Sequence, residues 1–295
     1  MLTGQIINGL VSGAMYALVA IGFTLVIGVL DKLNFAHPET MMLGGFVGVV
    51  SMASLPIWWA FLAALVVGGA MGLLTEFIAF RRFKGGGDAK ITAALASMAL
   101  GLIVTDLVHK IWGTEAVNMP PYGGWAAGRF AVAGVEFQNI QIVIVALTIV
   151  LAGGLHVILQ TTRAGRRIRA VAEAPVSASL LGIDVLRTSQ SVFFISSALA
   201  AEAGLLLALR SGAASSEIGL TFGLKALAIM AIGGMGDLRG AAVAGLVIGI
   251  LEALMFYFGL GKLSELTVWA AMIVTLMFRP SGIFGGGAHA GEQRA

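Results

Sequence analysis

Along the chain, apolar residues come in blocks of roughly 20, separated by short polar breaks and without sustained period-two alternation. A bilayer core about 30 Å thick asks for about 20 apolar residues per helical crossing. The pattern therefore predicts helices over about 4–30, 39–55, 57–80, 91–112, 139–160, 188–210, 219–236, 241–259 and 263–279. Segments of this length read as helices rather than barrel strands. Spans 39–55, 219–236 and 241–259 are short enough to be tilted, broken or re-entrant, so the count lies between eight and ten, with nine preferred. The expectation is an all-α, polytopic integral membrane helical bundle, a single transmembrane domain over 1–295.

The longest polar passage between two apolar blocks is 161–187, TTRAGRRIRAVAEAPVSASLLGIDVLR, with Arg163, Arg166, Arg167, Arg169 and Arg187. Cationic loops stay on the side where the protein is made, which makes this loop cytoplasmic. Within it Ile168, Val171, Ala172, Val176 and Ser179–Leu180 fall near helical spacing, with Pro175 as a break. A short amphipathic helix lying along the membrane surface is expected, and it needs something to dock on. With the amino terminus outside and nine crossings, the cytoplasmic side collects Lys32, Arg81, Arg82, Lys84, Lys90, the five loop arginines, Arg239, Arg279 and Arg294, thirteen of the 18 Lys and Arg residues. Loop 113–138, with PPYGGW and one cation, then becomes the main external loop, and the carboxyl terminus is cytoplasmic.

Composition agrees. With 58% hydrophobic residues, 11% charged residues and a mean hydropathy of +0.96, the chain has too few charges to clothe a soluble globule of 295 residues. The formal charge of +3 sits in short inter-helix loops, so membrane topology explains it and no nucleic acid is called for. There is no cysteine, hence no disulfide and no thiolate metal site. The first thirty residues carry no Lys or Arg, so the first apolar block reads as a permanent helix rather than a cleaved signal.

The 41 glycines run through the apolar blocks; Gly9 and Gly13, and Gly245 and Gly249, have the GxxxG spacing that lets helices approach closely in lipid. Together they point to a tightly packed bundle with contacts to other membrane subunits, each single pair serving either that purpose or intramolecular packing. Catalytic motifs are not legible. Gly261-Lys262 lacks the first Gly of a P-loop, since position 256 is Phe, and lacks the following Ser or Thr, since position 263 is Leu. His37, His109, His156 and His289 show no metal-ligand spacing.

Charge inside the membrane is costly and is usually paired or functional. Lys225 and Glu252 each lie about 11 residues from the turn joining their neighbouring spans, roughly 16 Å deep at 1.5 Å per residue. Pairing across the two helices is expected, with Glu202 as the competing partner; the pair is either a structural pin or part of the solute path. A second polar interruption, DKLNFAHPE at 31–39, is either a cytoplasmic turn or a broken segment at the inner mouth of a solute pathway, with Asn34 and His37 as its polar groups.

Four stretches in order along the chain then carry a resemblance: GLVSGAMYALVAIGFTLVIGVLDKLNFAH at 9–37, ASLLGIDVLR at 178–187, GLKALAIMAIGGMGDLRGAAVAGLVIGILEA at 223–253 and FRPSGIFG at 278–285. The chain closely resembles the H-type permease subunit of bacterial high-affinity branched-chain amino acid ABC importers. That resemblance implies a membrane subunit in the bacterial inner membrane that forms half of a translocation pathway. It also implies a second related permease, two cytoplasmic ATPases that bind ATP and magnesium, and an extracytoplasmic solute-binding protein, with membrane lipid around the bundle and no cofactor in this chain. By the same resemblance Arg163, Arg166, Arg167, Arg169, Glu173 and Gly182 belong to the ATPase-coupling loop, and Asn34, His37, Lys225 and Glu252 to the solute pathway or its gating. Pro38, Pro175 and Asp237 depart from the family pattern. A self-sufficient channel or ion-coupled carrier for a small polar solute, using Glu202, Lys225 and Glu252, is the rival reading.

Overall fold

The computed structural model describes residues 2–83, 87–121, 123, 128–132 and 135–285. Lys84, Arg294, His289 and part of the PPYGGW loop lie outside the described residues. Helix α1 (Leu2–Leu30) is followed by α2 (His37–Ser51), α3 (Ile57–Thr75, ending in a wider π-helical turn at Glu76–Phe80) and α4 (Gly87–Trp112). After strands β1 (Val117–Asn118), β2 (Arg129–Val132) and β3 (Val135–Gln138) come α5 (Asn139–Thr161), α6 (Arg163–Glu173), α7 (Pro175–Leu180) and α8 (Val185–Ser211). The chain then runs through β4 (Ala213–Ala214), α9 (Glu217–Gly233), α10 (Leu238–Tyr257), a single 3-10 turn and α11 (Ser264–Phe278).

Among the described residues seven helical segments are long and apolar enough to cross a bilayer: α1, α3 with its π turn, α4, α5, α8, α10, and the 3-10 turn with α11. The 241–259 span, expected to be short, is a helix of 20 residues and belongs to the seven. Helices α2 and α9, with 15 and 17 residues, fall below that length. At 1.5 Å per residue they reach only about 22 and 25 Å.

Burial sorts these helices by position. α8 and α1 form the axis, with 89% and 78% of their most apolar windows buried, whereas α5 and α11 bury 22% and 11% and face outward. α1 carries no charged side chain over its 29 residues, and a helix that is apolar all round belongs inside a bundle. It packs on α10, α8, α9 and α5, while α8 packs on α3, α2 and α1.

The glycines decide how closely these helices meet. A Cβ on Gly249 would lie 2.4 Å from the Gly13 Cα, and one on Gly9 2.8 Å from the Ala253 Cβ, so the two GxxxG pairs face each other across the antiparallel α1–α10 crossing. On the other side of the axis a Cβ on Gly204 would stand 1.8 Å from the Met41 carbonyl oxygen. These glycines are consumed by packing within the chain. Of the two roles the spacing leaves open for a single pair, both GxxxG pairs take the intramolecular one, because backbone of the same chain already fills the space beside them.

The two ends of the bundle differ. At one end Gly28 abuts Gly236, and the exposed Asp31 and Lys90 pair between the α1–α2 turn and α4. Amphipathic α6 lies here, its Ile168 and Val171 buried while Arg163, Arg166, Arg167 and Arg169 stay exposed. At the other end β1 pairs with β4, β2 with β3, and Arg210 donates to the Asn8 carbonyl at 3.1 Å. The all-α expectation thus gains two small antiparallel ladders, both outside the helical layer.

Candidate functional site

The loop that the sequence singles out is built from two helices rather than one. Thr162 caps α6, its hydroxyl accepting from the Gly165 N–H at 3.1 Å. The helix stops at Ala174, because the next residue is Pro175, which occupies the first position of α7 where its missing N–H costs nothing. Gly182 follows α7 with φ +83°, a left-handed conformation that suits glycine, and Asp184 then caps α8 by accepting from the Arg187 N–H at 3.0 Å.

The apolar positions of this loop divide. Ile168 and Val171 of α6 dock on the bundle, but Val176, Leu180 and Leu181 at the α7 tip remain 73%, 84% and 83% exposed. Glu173 and Gly182 are exposed beside them. Arg169 differs from its neighbours, since its guanidinium turns back and donates to the Leu159 carbonyl at the end of α5.

Inside the helical layer, Lys225 of α9 and Glu252 of α10 form the expected pair, Nζ to Oε1 at 2.8 Å, with side chains only 11% and 8% exposed. The free Glu252 oxygen, Oε2, accepts from the Tyr16 hydroxyl at 2.6 Å. The ammonium stands 5.8 Å from the Tyr16 ring centroid and 5.4 Å from that of Phe222. A charge removed from water is thus held by a counter-ion, a charge-assisted hydrogen bond and two π faces, the conditions under which a buried pair persists. Tyr16 and Phe222 were not among the candidates from the sequence. Tyr16 is the only tyrosine of α1, and a buried phenol seeks a partner.

Glu202 does not join the pair. It is buried in α8, and its Oε2 has no hydrogen-bond partner among the described residues.

Asn34 and His37 are brought near each other at the α1–α2 turn, and both are buried. Asp31 turns the chain with φ +51°. The Asn34 side-chain oxygen then accepts from the Ala36 N–H at 3.1 Å, and the Phe35 N–H donates to Ser97 Oγ of α4 at 3.0 Å. His37 opens α2 with Pro38 just behind it. Its ring lies tilted at 54° against that of Phe23, centroids 4.3 Å apart, with Nδ1 3.4 Å from Ser196 Oγ, which itself donates to the Gly22 carbonyl at 2.8 Å. A Cβ on Gly22 would come within 2.8 Å of the imidazole, so this glycine makes the room. The amide satisfies backbone at the break, as the sequence suggests, while the imidazole points into the bundle. The Asn34–His37 turn and the Lys225–Glu252 pair are separate sites, linked by α1: Tyr16 touches one and Phe23 the other, about two helical turns apart.

Residues 5–278 match the family described as branched-chain amino acid transport system / permease component. The chain belongs to this family. The permease is 31% identical over 294 residues to the high-affinity branched-chain amino acid transport system permease protein BraD of Pseudomonas aeruginosa, covering 95% of each chain. It is 32% identical over 293 residues to the LivH permease protein of Escherichia coli K12, covering 95% of this chain and 94% of that one. A probable branched-chain amino acid transport permease protein LivH of Methanocaldococcus jannaschii is 28% identical over 291 residues, covering 92% and 89%. The permease is a multi-pass membrane component of an ABC transporter, and these relatives are transport subunits rather than enzymes.

Proposed function

We propose that the permease supplies one half of an alternating-access pathway, in a bacterial inner-membrane importer for branched-chain or chemically related amino acids driven by ATP hydrolysis in partner subunits. The observation that carries this reading is the family match, which runs over nearly the whole chain and aligns end to end with branched-chain amino acid permeases. In this reading nine helices cross the membrane, α2 and α9 as short crossings, with the amino terminus outside and the arginine-rich end in the cytoplasm. A second related permease, two ATPases and an extracytoplasmic solute-binding protein complete the assembly.

Energy enters through the α6–α7 loop. The exposed trio Val176, Leu180 and Leu181 is a compact apolar tip projecting from a cationic surface, suited to a groove in a protein partner, with Arg163, Arg166 and Arg167 forming the polar rim and Glu173 and Gly182 shaping the turn. Rearrangement there reaches the bundle through α6, whose Ile168 and Val171 are seated on it. Asn34, His37, Lys225 and Glu252 then bias the pathway between its two openings, because His37 and the Lys225–Glu252 pair are buried polar contacts that join two helices and Asn34 is the buried amide that holds the α1–α2 turn.

The test is reconstitution in proteoliposomes. Uptake of radiolabelled leucine is expected only when the permease is joined by its second permease, the ATPases, the binding protein and ATP. Leucine uptake by this chain alone, driven by an ion gradient, would overturn the reading in favour of a self-sufficient carrier. Within the assembled system, Val176→Asp with Leu180→Asp is expected to abolish coupled uptake and ATPase co-purification while leaving the permease folded. Retained ATPase association in that variant would remove the tip from the mechanism.

A further inference from the structure

The inner end of the bundle holds a cavity of about 350 Å³ that the transport reading leaves unused. Its walls come from four elements: Thr24 and Gly28 of α1, His156 and Gln160 of α5, Ile168 and Arg169 of α6, and the start of α10 at Asp237 and Arg239. We propose that this cavity binds a phosphate-bearing anion at the inner membrane surface, in the first instance the headgroup of an anionic phospholipid.

Four observations support it. Two arginines from different elements, Arg169 and Arg239, line one cavity, and a guanidinium offers phosphate oxygens a planar set of five N–H donors, of which Arg169 gives one to the Leu159 carbonyl. The only carboxylate in the lining is Asp237, whose Oδ1 is engaged with the Arg239 and Gly240 N–H groups at 2.8 and 3.0 Å as the cap of α10. Within the lining the cations therefore outnumber the anions. At the wall formed by α1, Thr24 is fully buried and its hydroxyl has no partner among the described residues. Finally, the cavity sits where a lipid would present its headgroup. α5 is a sparsely buried helix whose apolar Val150, Val157 and Ile158 are exposed, and its last turn reaches the cavity through Leu159 and Gln160. Acyl chains lying along α5 deliver a phosphate to Arg169 at the membrane surface, where basic pockets between helices favour anionic headgroups. Arg169 is thereby separated from its neighbours in the loop, because it faces the membrane end of α5 rather than the α7 tip.

The proposal stands apart from the coupling mechanism and is tested by binding, not by uptake. Purified full-length permease in mild detergent is titrated with phosphatidylglycerol, phosphatidylcholine or inorganic phosphate, and retained ligand is counted by native mass spectrometry. Saturable retention of phosphatidylglycerol over phosphatidylcholine is expected, falling about fivefold for Arg239→Gln and about 25-fold when Arg169→Gln is added. Arg169→Lys with Arg239→Lys is expected to keep most of the retention, and thermal unfolding of each variant verifies the fold. If inorganic phosphate binds with the same dependence on the two arginines while the lipid does not, the anion site stands with a soluble source. Equal retention of both lipids with no binding of inorganic phosphate, or retention of phosphatidylglycerol or phosphate that is unchanged in the folded Arg169→Gln/Arg239→Gln variant, would overturn it.

Discussion

Replacing Glu252 by glutamine leaves the Lys225 ammonium inside the helical layer with no counter-charge. The pair is nearly closed to solvent, at 11% and 8% side-chain exposure, so screening by water does little to soften the loss. Removing one member of a buried pair typically costs about 3–5 kcal/mol, because the remaining charge stays desolvated. Glutamine still offers an oxygen to the Tyr16 hydroxyl and the two ring faces remain beside Lys225, so the lower part of that range, about 3 kcal/mol, is expected. Lys225→Met leaves Glu252 with Tyr16 alone and should cost a similar amount. The double variant removes both charges and should lie within about 1 kcal/mol of the original chain, since an apolar replacement for a buried pair is often neutral. Chemical denaturation of the purified permease in detergent, arranged as a double-mutant cycle, therefore reads a coupling of about 5–7 kcal/mol. Single costs that simply add in the double variant would show that the two groups do not depend on each other, and the reasoning would fail. ATP-dependent uptake measured on the same folded double variant then separates the two roles: preserved uptake makes the pair a pin between α9 and α10, and lost uptake places it in the pathway.

Other outcomes follow from individual contacts. Tyr16→Phe deletes a hydrogen bond to a charged acceptor and should destabilise by about 1.5–3 kcal/mol in the same denaturation assay, but by clearly less once Glu252 is glutamine. Gly249→Ala drives a methyl group into the backbone of α1 and should cost at least about 1–3 kcal/mol, whereas Gly153→Ala inside α5, where a Cβ meets nothing within 4 Å, should cost nothing and stabilise by up to about 1 kcal/mol. Asp31→Asn removes the ion pair with Lys90, which is exposed on both sides, and should shift unfolding by less than about 1 kcal/mol with the difference shrinking at high salt; asparagine tolerates the left-handed backbone at this position.

Much of the helical layout was legible because the bilayer imposes one requirement on every crossing, a run of apolar residues near 20, and runs of that length are visible without knowing what packs on them. The Lys225–Glu252 pair was legible for the same reason. Charge in lipid is rare, and counting residues from a shared turn places both groups at one depth. Tyr16 was harder, since it lies 236 positions from Glu252 and nothing local links them. The link is the crossing of α1 and α10 through Gly9, Gly13, Gly245 and Gly249. Side chains lean toward the amino end of their own helix, so on antiparallel helices a long residue from each leans toward the other.

The order of apolar blocks and the placement of arginines in one loop follow from single-residue transfer energies, so the sequence alone determined that this is a polytopic helical membrane protein with a cationic loop between two apolar blocks. Which residues of that loop remain available depends on what the bundle already covers. The spacing groups Ile168, Val171, Val176 and Leu180 together, and only the tertiary structure separates the first two, seated on α1, α5 and α8, from the exposed α7 tip. It likewise decided that the GxxxG pairs serve α1 against α10 rather than another subunit, and that Arg169 turns away from its neighbouring arginines toward the end of α5. Periodicity states which side chains can share a face, but exposure depends on the elements that fold onto that face, and these come from distant parts of the chain.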